Sequence, residues 1–228
     1  MCVRKTLLTW EERAVTVPTT AGSVPYATLL SFTRYVGRTG PRKATFVGGL
    51  RRQRESGSGF NPHSPLVKAL KADIQFRTGG THLTVVVDQV KPRWRPLYEA
   101  ITPGARRYLE SLGDPKGVQI AQIRDALGVL GGLSVKINPH FGLRYEDGRT
   151  EVVRLHFDDS PPLPEAALAT LHLMTRHMDQ VLPHAEPVLV DLRRGDALRT
   201  DPTVKIGEVE RWLAGEAAAF AAMWGTAA

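Results

Sequence analysis

Cationic donors crowd one short stretch of the chain. Arg38, Arg42, Lys43, Arg51, Arg52 and Arg54 stand among Gly37, Gly40, Gly48 and Gly49. Guanidinium groups and exposed glycine amides both donate to anionic oxygens, so residues 38–54 read as a phosphate-contacting segment. The alternative is a solvated helix whose apolar side is Phe46, Val47 and Leu50. The glycines spell neither GxGxxG nor the Gly-Lys-Ser/Thr end of a phosphate loop. A second patch joins ring to charge: Trp94 sits between Arg93 and Arg95, flanked by Lys91-Pro92 and Pro96. Such a ring can stack a base, or pack a corner through cation–π contacts.

The remaining titratable groups point less sharply. Asp158-Asp159 could take a hard cation or serve the dipole of the helix that follows. His172 and His177 are five apart on a helix and diverge by roughly 140°, so they make no two-histidine clamp. Together with His140, His156 and His184 they read as solvent-facing. Asp191, inside an apolar run and followed by Arg193-Arg194, reads as a buried carboxylate paired with arginine. No Gly-x-Ser-x-Gly marks a nucleophile. The single cysteine, Cys2, excludes an internal disulfide and a multi-cysteine zinc site, and points to a reducing, cytoplasmic setting.

Charge is divided unevenly over the 228 residues. Residues 1–112 hold 18 Lys and Arg against 7 Asp and Glu, whereas residues 113–228 hold 12 against 16. The basic half is an electrostatic footprint for a polyanion. No apolar run approaches the ~18 residues of a membrane span, and the basic start at Arg4-Lys5 lacks the apolar region of a signal peptide.

The elements that must position these groups follow from periodicity and punctuation. Residues 14–17 suggest a short strand or an arm. A helix capped by Ser23 is expected from Pro25, carrying Tyr26, Leu29, Leu30, Thr33 and Val36 to Gly37. A connector at 55–59 leads to a helix opened by Ser64-Pro65, with Leu66, Leu70 and Ile74 on one side. Residues 82–90 lean to helix. Further helices are expected at 94–101, from Thr102 to Gly113, and over 114–130, the last stopped by Gly131-Gly132. Strands follow at 134–138, 141–145 and 150–157, where Val153, Leu155 and Phe157 share one face and Arg154 and His156 the other. A helix carrying Leu168, Leu171, Met174, Met178 and Val181 comes next. Then a continuous apolar run at 187–192 reads as a strand covered on both faces, with 196–200 as its hairpin arm. Ile206 to Trp224 forms an amphipathic helix. The fold class is α+β: a mainly helical, basic region over 1–130 packed on a mixed core over 131–228, the two forming either two units or one continuous domain.

The order helix, three strands, helix, strand over 114–192 is similar in layout to the restriction-endonuclease-like nuclease core, across about 80 residues. That resemblance implies Mg²⁺ held by an acid on the second strand and a Glu-x-Lys pattern on the third. Here the third strand reads Glu151-Val152-Val153-Arg154, which is Glu-x-x-Arg, and the acid near the second strand is Asp147 in a turn. The resemblance therefore implies a catalytically degenerate core.

The expected function is a non-catalytic protein that binds nucleic acid or joins a nucleic-acid-handling complex, its partner DNA, RNA or an acidic protein, with no cofactor, no metal and no membrane. Its phosphate contacts would be Arg38, Arg42, Lys43, Arg51, Arg52 and Arg54, with Arg93, Trp94 and Arg95 secondary. The first alternative is a Mg²⁺-dependent nuclease using Asp147, Glu151 and Asp159. The second is an adaptor docking through the apolar helix around Phe220 and Trp224.

Overall fold

The computed structural model describes residues 24–57 and 61–226. Cys2, the arm at 14–17, Ser23 and the end of the connector at 58–59 lie outside them. The described chain runs β1 (Tyr26–Thr28), α1 (Leu29–Val36), α2 (Pro41–Glu55), α3 (Ser64–Phe76), α4 (Thr81–Gln89) and α5 (Arg95–Ser111). It continues through β2 (Val118–Ala121), β3 (Ala126–Leu130), β4 (Leu133–Ile137), β5 (Phe141–Tyr145) and β6 (Thr150–His156). Then come α6 (Pro164–Arg176), α7 (Met178–Val181), β7 (Glu186–Asp191), β8 (Asp196–Leu198) and α8 (Ile206–Thr226). The fold is α+β, with helices leading, strands following and a helix closing the chain.

The strands form two sheets, ordered β1-β4-β3 and β2-β5-β6-β7-β8. In the larger, β5 and β6 are antiparallel, whereas β6 and β7 run parallel in the register Val153↔Val188 and Leu155↔Val190, joined by the α6 crossover. Alternation along β6 decides what each face meets. Val153 and Leu155 enter a core with Phe141, Leu143, Val188 and Val190, closed by Leu66 and Leu70 of α3, Leu83 of α4 and Tyr98 and Tyr108 of α5. Val152 points the other way, into a second core with Phe32 and Tyr35 of α1, Val135 and Ile137 of β4, Leu173 of α6, and Leu213, Phe220 and Trp224 of α8. Both cores draw residues from either side of residue 130.

The structure corrects three sequence expectations. Residues 114–130 are no helix: Asp114 caps a 3-10 turn at Pro115–Gly117, and β2 and β3 follow. Gly131 and Gly132, both at positive φ, link Leu130 to its partner Leu133 as a two-residue hairpin rather than a helix stop. The Ile120–Ile123–Leu127–Leu130 spacing is accidental, since Leu127 and Val129 are exposed while Ala126 is buried. The expected meander is consequently split, its first strand going to the smaller sheet. The helix expected from Pro25 begins with a strand, and α1 is capped by Thr28, whose hydroxyl accepts the Ser31 amide at 3.2 Å. The breaks expected at Pro96 and at Thr102-Pro103 merge into α5: Pro96 sits in its first turn, and Pro103 lies on its exposed side. There water can take the Glu99 carbonyl that Pro103 cannot.

Asp73 is the polar keystone of the α3–α4 joint. It is 2% exposed. Its carboxylate accepts the His82 and Leu83 amides at 2.9 Å each and the Thr78 hydroxyl at 2.6 Å, so α3 supplies the cap for the N-terminus of α4. Burial pushes the Asp73 carboxyl up, but these donors outweigh it and the net shift is downward. A carboxyl depressed on folding adds stability above its unfolded value near 4, lost as pH falls through the lower folded one. Asp73→Ala, which orphans both amides, is expected to cost about 2–3 kcal/mol at pH 7 in urea unfolding, and less at pH 3.

Candidate functional site

The second face of β6 carries more than apolar packing. Beyond Val152, the alternation places Arg154 and His156 on this face, under α1 and α6, where they line a cavity of about 450 Å³. The cavity lies at the carboxyl ends of the parallel β6 and β7, where the chain leaves β6 and turns into α6. In open α/β sheets such edges hold ligands, because loops diverge there and helix N-termini face inward. Leu30, Thr33, Arg34 and Arg38 of the α1 end form one wall. Leu163, Ala166 and Thr170 at the start of α6 form the other.

Arg154 defines the electrostatics. Its side chain is buried, 6% exposed, and one guanidinium nitrogen donates to the Asn138 carbonyl at 2.7 Å. Among the described residues it has no carboxylate partner. Burial, then the like charge of Arg34, lowers its pKa to about 10, so it is cationic at neutral pH. An ion taken out of water costs several kcal/mol unless it is compensated. The cavity beside it is where a compensating anion would fit. Arg34 pairs with Asp158 across the mouth, and Arg38 donates to the Arg34 carbonyl while stacking 4.0 Å from the Phe46 ring centroid.

The floor is braced from behind. Asp191, 2% exposed, accepts the Arg194 guanidinium at 2.7 Å and the Arg193 amide at 3.2 Å, as its apolar setting predicted. Arg193 reaches the Phe157 carbonyl at 2.9 Å and Asp159 at 2.6 Å. Arg194 reaches the Asp159 carbonyl at 2.6 Å, and His156 donates to the Ser160 carbonyl at 2.8 Å. These bonds pin the exit loop of β6 to the turn after β7. Asp158 and Asp159 thus meet arginines rather than capping α6, which no side chain caps.

The expected phosphate contacts along 38–54 do not share one free face. Lys43 bonds both Glu216 oxygens, at 2.5 and 2.7 Å, and lies 4.9 Å from the Tyr35 ring centroid. Arg51 bonds Glu55 and the Trp224 carbonyl, each at 3.0 Å. Arg54 stacks on Tyr26 and Trp224, 4.2 and 5.3 Å from their ring centroids. Those three positions fall on the side of α2 that meets α8. Arg42 and Arg52 are exposed, and among the described residues neither forms an ion pair. In the second patch, Trp94 is half-buried against the core, Arg93 lies 5.3 Å from its ring centroid, and Arg95 donates to the Asp88 carbonyl. Arg34 and the burial of Arg154 are what sequence reasoning missed. The available signal was an arginine inside a strand whose neighbours on both faces are apolar.

The three acids of the nuclease alternative do not converge. Asp147 pairs with Arg149 in an exposed turn. Glu151 is buried, accepting the Tyr145 hydroxyl at 2.8 Å and Arg199 at 2.6 Å. Asp159 lies beyond the far end of β6, which puts it on the order of 20 Å from Glu151. Among the described residues no group of three His, Cys, Asp or Glu could hold a metal ion. Phe220 and Trp224 are buried in the chain's own core, 0% and 2% exposed, rather than presented to a partner. Among the described residues no helix is long and apolar enough to cross a membrane. Fold and site together define an α+β protein with a cation-lined cleft at the carboxyl edge of a β-α-β unit. No protein-family model matches the chain, and no curated protein matches it.

His140, His172 and His177 are not the solvated groups their sequence setting suggested, whereas His184 is exposed as expected. His140 is pushed well below its usual range by burial and then by Arg154, and its Nδ1 accepts the Leu155 amide at 2.9 Å. Burial also lowers His63, His172 and His177. A histidine depressed on folding binds its proton more readily when unfolded, so stability is lost as pH falls below about 6.5. Each histidine that stays neutral contributes a slope of about 1.4 kcal/mol per pH unit. The urea midpoint is expected to fall steadily from pH 7.5 to pH 5, and His140→Gln to flatten that decline.

Proposed function

We propose that this protein binds nucleic acid through its phosphates, without cutting it, and that the strand is anchored in the cleft between α1, the exit loop of β6 and α6. Arg154 forms the floor, Arg34 and Arg38 the mouth, and Arg42 and Arg52 on α2 extend the cationic surface outward. The observation that carries this reading is the buried Arg154 guanidinium, open to a cavity and without a carboxylate among the described residues. The excess of positive charge in residues 1–112 supports a polyanion as ligand. The succession β5, β6, α6, β7 keeps part of the nuclease-like layout, and the scattered acids favour a degenerate, non-cleaving version of it. A reducing cytoplasm suits a chain with one cysteine.

Titration of labelled DNA and RNA oligonucleotides at several salt concentrations tests this. Binding at ~50 mM salt that weakens log-linearly as salt rises is expected, with a shallower slope for Arg34→Ala/Arg38→Ala. Absence of binding at that salt, or a flat salt dependence, overturns it.

A further inference from the structure

The shape of the cleft narrows the ligand's chemistry. Resting on the nucleic-acid reading, we propose that the floor of the cleft receives a terminal phosphate, a phosphomonoester, rather than an internal phosphodiester. Arg154 lies at the bottom of the cavity, beneath walls from α1 and α6, and is almost wholly shielded. An internal phosphodiester drags a nucleotide on each side and needs a way in and a way out. A chain end needs only one opening. A cavity of about 450 Å³ falls in the range of small-ligand pockets, room for roughly one nucleotide and not for a strand in passage.

Charge points the same way. A phosphomonoester carries between −1.5 and −2 at neutral pH, against −1 for a diester. The cleft offers Arg34, Arg38 and Arg154 against Asp158 and Asp159, and Asp159 is already engaged by Arg193. The Arg34–Asp158 pair is half-exposed, 43% and 45%, so a phosphate exchanges for Asp158 at small cost. A further contribution comes from the 13-residue α6, whose first turn carries Ala166 into the wall and has no side-chain cap. Pro164 opens it without an N–H, so that end offers the Glu165 and Ala166 amides, with the Glu165 carboxylate set against the dipole. Pro161, Pro162 and Leu163 supply an apolar side for a sugar or base.

The test compares one oligonucleotide sequence made with a 5′-phosphate, with a 3′-phosphate, or with hydroxyls at both ends. Binding is followed by anisotropy in the full chain and in Arg154→Met. Inorganic phosphate and a nucleoside monophosphate serve as competitors and as additives in thermal unfolding. Expected is at least tenfold tighter binding of one phosphorylated form, competition by the small phosphates, and loss of the preference in Arg154→Met but not in Lys116→Ala, an exposed cation away from the cleft. Equal, salt-dependent binding of all three forms overturns the terminal-phosphate proposal and leaves nucleic-acid binding standing. Thermal stabilisation by the small phosphates in the native chain but not in Arg154→Met, with no oligonucleotide bound, upholds the phosphomonoester seat and overturns nucleic acid as its carrier. No binding of any form and no thermal shift overturns both.

Discussion

Arg154→Met is expected to unfold at the same urea concentration as the native chain, or a slightly higher one, while its affinity for phosphorylated ligand falls roughly 10–100-fold. The two halves of this result pull against each other, and that is its value. An ordinary buried residue, once truncated, lowers stability by 1–3 kcal/mol and takes any activity down with it. Arg154 differs because its charge is held out of water with a single carbonyl at 2.7 Å and no carboxylate among the described residues. Methionine fills a similar volume without that desolvation penalty and forfeits only the bond to the Asn138 carbonyl. A residue that lowers stability and is nonetheless kept buried beside a cavity is best explained by what enters the cavity. A loss of more than about 3 kcal/mol in Arg154→Met would mark it instead as a structural strut.

Gly104→Ala is the second large effect, expected to cost about 3 kcal/mol or more and to weaken ligand binding from a distance. A Cβ at Gly104 would run into the Leu192 and Arg193 carbonyls, backbone atoms with nowhere to retreat. Gly195, at φ +77°, closes the same approach from the other side, where a Cβ would lie 2.8 Å from that of Arg107. Arg107 meanwhile donates to the Arg193 and Arg194 carbonyls at 3.1 and 3.0 Å. Pushing α5 off this turn loosens Arg193 and Arg194, and with them the exit loop of β6 that carries Asp158 and Asp159 to the cleft. Gly49→Ala is the control. It lies inside α2 with nothing within 4 Å of the added atom, and is expected to raise stability by about 0.5–1 kcal/mol. Urea midpoints of both variants, set beside phosphate affinity, separate damage to the site from damage to the fold.

Much of this architecture was legible from residue order. The apolar run at 187–192 announced a strand covered on both faces, and Val153 with Leu155 against Arg154 with His156 announced the two sides of β6. The misreading of 114–130 has a definite cause. Two short strands with a turn between them placed four apolar residues at a helical interval by chance, and only pairing with β5 and β4 reveals the two-residue period. Gly131-Gly132 between two β-capable runs was the better clue, since a glycine pair at positive φ suits a hairpin as well as a helix end. The site was harder. Arg38 was singled out with the residues that follow it, yet in the structure it lies with Arg34, four residues before it, and with Arg154, brought by β6 from more than 110 residues away. Lys43, Arg51 and Arg54 looked free for the converse reason, because the partners that occupy them, Glu216 and Trp224, lie more than 160 residues further on.

That separation bears on how the molecule is made. Tyr26 pairs with Ser134, and the rings of Phe32 and Tyr35 close against Phe220, 6.3 and 5.0 Å between centroids. During synthesis α1 must therefore wait, with its apolar side uncovered, until α8 has been made. Contacts spanning so much of the chain make for slow assembly. Both cores take residues from before and after residue 130, and the cleft draws one wall from α1 and the other from α6, segments more than 120 residues apart in the chain.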